Sequence, residues 1–312
     1  MSGLKVLRPG ILCLIQDQGR FGQHRFGLTN GGPLDMTAFN WANRLCENEP
    51  GTTALELSVG GLVLEAQQSV RFAITGAAAP LKVNGERREQ WRSHRLQKGD
   101  VIEVGYASVG LRLYLAVTGG FQVAPRLGST ATVVREGIGG LNGQALKAND
   151  CLDCPEFSSG RNWFLAAAQQ PAYSMTATLR MLPGYQHRYF PASQQQIFFA
   201  ASYAVSNHCD RMGYRLEGPA IKADIEGILS EGICHGAVQI PADGQPIVLL
   251  NDRQTIGGYP KIGSVIRLDT DRLAQMRPGG TVSFESVSLE QCRVLNAEAH
   301  NRFNATEPRP CL

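Results

Sequence analysis

Glycine cuts this chain into short apolar runs, and that spacing leaves little room for long helices. Runs rich in Val, Ile, Leu and Phe occur at 62–64, 70–74, 101–104, 111–117, 197–201, 237–240, 247–250 and 265–268. Each is about strand length and is bounded by Gly, Pro, Asn or Asp. Glycine supplies 35 of the 312 residues, against a usual share of ~7%. Helical periodicity is confined to 36–45 and a shorter stretch at 162–169. Many short strands with glycine turns and few short helices predict a mainly β fold, built as barrels or sandwiches.

At ~150 residues per domain the length predicts two domains. Both halves close on a basic glycine turn followed by a strand: Lys98-Gly99-Asp100 before 101–104, and Arg277-Pro278-Gly279-Gly280 before 281–284. The small-residue stretch 166–174 is the natural linker. The expected domains are therefore 1–165 and 175–290, with 291–312 as a polar tail that frays.

Charge excludes some functions. Thirty basic and 27 acidic residues give a net charge of +3, with no basic block. That is no footprint for nucleic acid. No apolar run approaches the ~18 residues of a membrane-spanning helix. The first residues, MSGLKVLRPG, lack the apolar core of a secretory signal, so a cytoplasmic protein is expected. Of eight cysteines, only Cys151 and Cys154 form a CxxC, and no second ligand pair follows it. Reduced cysteines and no metal are expected.

One segment concentrates polar chemistry: QIPADGQPIVLLNDRQTIGGYPKIG at 239–263. After a buried strand come Asp252, Arg253 and Gln254. Then Gly257 and Gly258 allow close approach or positive φ, and Tyr259 and Lys261 follow. The same residues also suit a self-satisfied turn in which Asp252 pairs with Arg253 or Lys261. A second candidate joins Arg20 and the glycines at 31–32 to Asp35, which either caps the helix at 36–45 or borders an anion pocket. A third is 206–218, with His208 and Arg211. A fourth is Ser230-Glu231-Gly232-Ile233-Cys234-His235-Gly236. No P-loop, GxSxG or HExxH occurs.

The stretches NDRQTIGGYPKIG, SEGICHGAVQIP and DRMGYRLEGP, with DQGRFGQHRFG and GGPLD, resemble the carboxyltransferase A/B-domain family, also called allophanate hydrolase subunit 2 or KipA. The resemblance runs from about Val6 to Phe284. It implies two cyclophilin-like β-barrel domains in tandem. It also implies work inside an ATP-dependent 5-oxoprolinase, which opens 5-oxo-L-proline to L-glutamate. The partners implied are the KipI-like B subunit and the A subunit of that enzyme. ATP would be used by the complex, with no cofactor bound by this chain. The alternatives it carries are a biotin-dependent carboxyltransferase half, with biotin supplied in trans, and a non-catalytic regulator that binds a KipI-like kinase inhibitor. By residue type, Lys261 and Arg253 would neutralise developing charge, Asp252 would handle protons and Gln254 would orient an amide. Tyr259, Gly257, Gly258, Arg20, Asp35 and Arg211 would complete substrate binding.

Overall fold

A computed structural model describes residues 3–225 and 227–311. The chain divides into two compact units. One takes residues up to 21, 31–173 and those from 306 on; the other takes 22–30 and 174–305. The division between 173 and 174 falls inside the small-residue stretch expected to be a linker.

In the first unit the strands form two sheets. A six-stranded sheet runs in the order Cys151–Leu152, Leu4–Pro9, Leu62–Ala66, Val101–Val104, Leu81–Val83, Glu86–Arg88. A five-stranded sheet runs Leu12–Gln16, Ala54–Ser58, Val109–Val117, Val70–Ala78, Ser93–Leu96. Leu62 and Leu64 face inward while Val63 and Glu65 are half-buried, the two-residue period of a strand. Leu4, Val6, Leu57, Phe72, Ile74 and Leu115 belong to one continuous core.

Helix Met36–Leu45 buries Ala38, Phe39, Trp41 and Leu45. Asp35 sits at its N-cap, accepting the Ala38 amide at 2.9 Å and the Tyr173 hydroxyl at 2.8 Å. Asp35→Ala is expected to destabilise this unit by about 1–3 kcal/mol, since the cap and a buried hydrogen bond go together. Trp41 lies in the helix, so tryptophan fluorescence during denaturation reads the loss.

The second unit is a closed seven-stranded barrel, ordered Thr176–Pro183, Lys261–Val265, Ala237–Gln239, Ile247–Leu249, Gly213–Glu217, Ser202–Cys209, Thr281–Ser286. Parallel pairing of the first strand with the last, from Thr176↔Thr281 to Met181↔Ser286, closes it. Closure removes the unpaired edges that an open sheet would expose. Phe198 stacks on Phe284 at 4.5 Å inside the unit.

Four local expectations change. Residues 162–169 hold strand Trp163–Phe164 and a 3-10 turn, because the strand pairs with Arg309–Pro310. The apolar run 197–201 ends helix Ala192–Ala200, which starts directly after Pro191 and runs through three glutamines. The run at 265–268 leaves its strand at Val265 and enters helix Arg267–Leu273. The polar tail does not fray: Leu289–Ala305 is helical. Its start is a reciprocal box, with Ser288 N–H on Gln291 Oε1 at 2.8 Å and Gln291 N–H on Ser288 Oγ at 3.1 Å. Among the described residues no helix is long and apolar enough to cross a membrane.

Candidate functional site

The loop after strand Ile247–Leu249 sends its charges in different directions. Asp252 accepts two bonds from Arg211, at 2.8 Å from Nε and 2.9 Å from Nη2, and both side chains are buried. Asp252 thus pairs with Arg211, while Lys261 pairs with Glu231. Arg253 is buried too; it donates to the Ile233 and Leu250 carbonyls at 3.1 Å each. Burial holds its guanidinium below the ordinary value. These groups strap the loop to neighbouring segments of the barrel unit.

Gly257 pairs with Glu231, and Ile256 with Gly232, in a small ladder of its own. Neither Gly257 nor Gly258 needs a positive φ. Space is tight at both instead. A Cβ on Gly257 would meet Ile233 Cδ1 at 2.7 Å, and one on Gly258 would meet the Ile228 carbonyl at 3.0 Å. The Gln254 amide nitrogen lies 3.7 Å from the same Gly257 Cβ position, and Tyr259 is half exposed.

Lys261 opens the next barrel strand and lines a cavity of about 300 Å³. Around it stand Tyr185, Gln186, Glu231, Cys234 and Ser264, with the backbones of Gly184, Gly232 and Gly263. The Lys261 ammonium pairs with Glu231 and reaches the Gly232 carbonyl at 3.4 Å. Glu231 also accepts the Tyr185 phenol and, at 2.8 Å, the Gln186 amide. Lys261, then Tyr185, holds the Glu231 carboxyl below the ordinary carboxylate range. The same contact raises the Tyr185 phenol. Cys234 Sγ lies 3.0 Å from Ser264 Oγ. All eight cysteines are free of disulfides.

Of the residues given a role from sequence, Lys261 alone lines this cavity. Asp252 and Arg211 bind each other, Arg253 binds the Ile233 and Leu250 carbonyls, and Gln254, Gly257, Gly258 and Tyr259 lie outside its lining. Arg20 and Asp35 belong to the first unit. Arg20 donates to the carbonyls of Arg126, Ser129 and Ala131 at 2.9, 3.3 and 3.0 Å. Of the glycine amides expected to bind an anion, that of Gly32 donates to Gln16 Oε1 at 2.9 Å. Glu231 and Cys234 lie in the 230–236 segment, which sequence marks only as a lesser candidate. Tyr185, Gln186 and Ser264 carry no sequence signal of their own.

The first unit holds a wider cleft, of about 930 Å³, between 122–127 and 137–143. Arg126 is its one charged lining residue, so it gathers no reactive cluster.

Beside the pocket, His235 encloses its Nε2 without a hydrogen-bond partner. Burial, then Arg267 and Arg253, push its pKa down to about 3 from 6.5, while a bond to Asn251 works the other way. The unfolded imidazole therefore takes a proton near pH 6.5 that the folded one refuses. Stability is complete above that pH and is lost as pH falls, at roughly 1.4 kcal/mol per pH unit, or about 2 kcal/mol by pH 5. Denaturant unfolding of the barrel unit at pH 6.5 and 5 measures this, and His235→Asn is expected to flatten the difference.

Fold and pocket together define a two-unit β protein whose barrel half carries a small polar site centred on an ammonium–carboxylate pair. The family model for the carboxyltransferase domain, subdomain A and B, matches residues 26–286. The chain belongs to that family. It is 38% identical over 291 residues to the C subunit of 5-oxoprolinase from Escherichia coli K12, covering 92% of each chain. It is 36% identical to the C subunit of 5-oxoprolinase from Haemophilus influenzae, covering 90% of each. The crystal structure of Kluyveromyces lactis urea amidolyase superposes with a TM-score of 0.90 at 26% identity, over 98% of this chain and 20% of that one.

Proposed function

We propose that the chain is the C subunit of an ATP-dependent 5-oxoprolinase and that its barrel pocket receives the lactam ring. The observation that carries this is the 38% identity to the Escherichia coli C subunit across 92% of both chains. A lactam is inert because its nitrogen lone pair is delocalised into the carbonyl. Phosphorylating the amide oxygen from ATP releases ADP and activates that carbon; water adds there, the C–N bond breaks to free the amine, and a second water hydrolyses the acyl phosphate left behind to the carboxylate and inorganic phosphate. In this reading the A subunit and a KipI-like B subunit handle ATP, and this chain binds no cofactor of its own. The pocket supplies the groups such a ring needs: an ammonium, a carboxylate and hydroxyl donors.

The test is reconstitution. The chain is co-produced with homologues of the A and B subunits, and ATP-dependent glutamate formation from 5-oxo-L-proline is assayed for every combination. Turnover is expected from the full set and none from the single chain. Robust ATP hydrolysis by the pure chain, or separate elution from the B subunit at micromolar concentration, counts against it. A second reading, half of a biotin-dependent carboxyltransferase, is favoured by the likeness to the urea amidolyase structure. Carboxylation of urea by the same complex with a biotin carrier added would select it.

A further inference from the structure

Lys261 and Glu231 stand side by side in the pocket wall, a donor against an acceptor. Their surroundings fix both. Gln186, only 3% exposed, donates its amide to Glu231 Oε1 at 2.8 Å and accepts the Lys261 backbone N–H at 2.8 Å. Tyr185 holds Glu231 Oε2. The ammonium has three N–H bonds and, among the described residues, spends two, on Glu231 and the Gly232 carbonyl. The carboxylate has about four acceptor positions, of which Lys261, Gln186 and Tyr185 take three. Among the described residues one donor remains on Lys261 and one acceptor position on Glu231 Oε2, both residues lining a cavity of about 300 Å³. That volume is at the small end for ligand sites.

A cyclic amide presents the complementary edge. Ring closure holds the amide cis, so its C=O and N–H point the same way. Bond lengths set the oxygen and nitrogen ~2.2 Å apart. The C=O can accept from Lys261 while the N–H donates to Glu231. A carboxylate or phosphate offers acceptors only and meets Glu231 with like charge. We propose that the Lys261–Glu231 pair reads the cis C(=O)–NH edge of a cyclic amide or cyclic urea, and that Gln186 is the positioning residue holding the pair in register. The choice of a lactam rests on the function proposed above; the edge itself does not.

Titration calorimetry on the full chain and on its complex tests this with three probes: 5-oxo-L-proline, its N-methyl derivative and 2-imidazolidinone. In the wild type, N-methylation is expected to weaken lactam binding by roughly 10- to 100-fold. In Glu231→Ala the same methylation should matter less than about threefold, because the acceptor it blocks is gone. Glu231→Met keeps the length of the side chain without an acceptor oxygen if the alanine variant folds poorly, and should lose the preference too. Equal binding of the two lactams to wild type overturns the inference. So does a preference that survives in both Glu231 variants, since methylation then acts by bulk alone. Binding of 2-imidazolidinone without 5-oxo-L-proline overturns the lactam function and leaves the edge recognition standing. Binding of neither ring overturns the edge recognition.

Discussion

Lys261→Met is expected to lower kcat/KM of the reconstituted complex by roughly two to three decades, the cost of about 2–4 kcal/mol for one charge-assisted contact in a partly dry site. The thermal transition should stay near its wild-type position. Methionine keeps the apolar stem, and the backbone bond from residue 261 to Gln186 at 2.8 Å survives. Glu231 is not stranded by the change. It retains Tyr185 and Gln186, and its side chain is 30% exposed.

The pH response carries a sign as well. Lys261 is the first cause of the depressed Glu231 pKa, so Glu231 contributes stability above the ordinary value of 4.5 that is lost as pH falls through the lower folded value. In Lys261→Met the folded value moves back toward 4.5, and that small acid-side contribution shrinks. If Lys261 is only a strap for Glu231, the variant loses stability and keeps its activity per folded molecule. That outcome would remove Lys261 from the site.

Much of the architecture is legible in the residues. The runs at 62–64, 70–74, 101–104 and 237–240 are all in strands or directly continue one. What composition does not separate is a buried strand from the apolar end of a helix. Ile197-Phe198-Phe199 reads like a strand, yet the helix beginning after Pro191 has already fixed its conformation. At the other end, Ser288 and Gln291 carry a legible start signal for a helix that polarity alone disguises as a loose tail. Lys261 stands out in sequence because a cation follows the glycine pair and Tyr259 at the start of a barrel strand. Its carboxylate partner does not. Glu231 is thirty residues upstream and arrives through the Glu231↔Gly257 ladder, a tertiary relation that no local pattern encodes. Asp252 misleads for the mirror reason. It is near Lys261 in the chain, but Asp210 satisfies the amides of Met212 and Gly213 at 2.7 and 3.2 Å, which leaves Arg211 to meet Asp252.

Asp252→Asn is expected to destabilise the barrel unit, because a neutral amide replaces the carboxylate that takes two bonds from the buried Arg211 guanidinium. The native pair is bidentate at 2.8 and 2.9 Å, with side chains 7% and 9% exposed, so water cannot easily replace the lost carboxylate. Tryptophan fluorescence is the wrong probe: Trp41, Trp91 and Trp163 all lie in the first unit. Hydrogen exchange of barrel amides follows the affected unit directly. The double variant Arg211→Met with Asp252→Leu should cost less than the two single changes added together, since it removes both charges and neither is left uncompensated. Activity per folded molecule should stay close to wild type in Asp252→Asn, because Asp252 does not line the Lys261 cavity. A loss of turnover with the exchange pattern unchanged would mean that this carboxylate acts on the substrate after all, and that the pocket extends past Glu231 to the loop at 250–254.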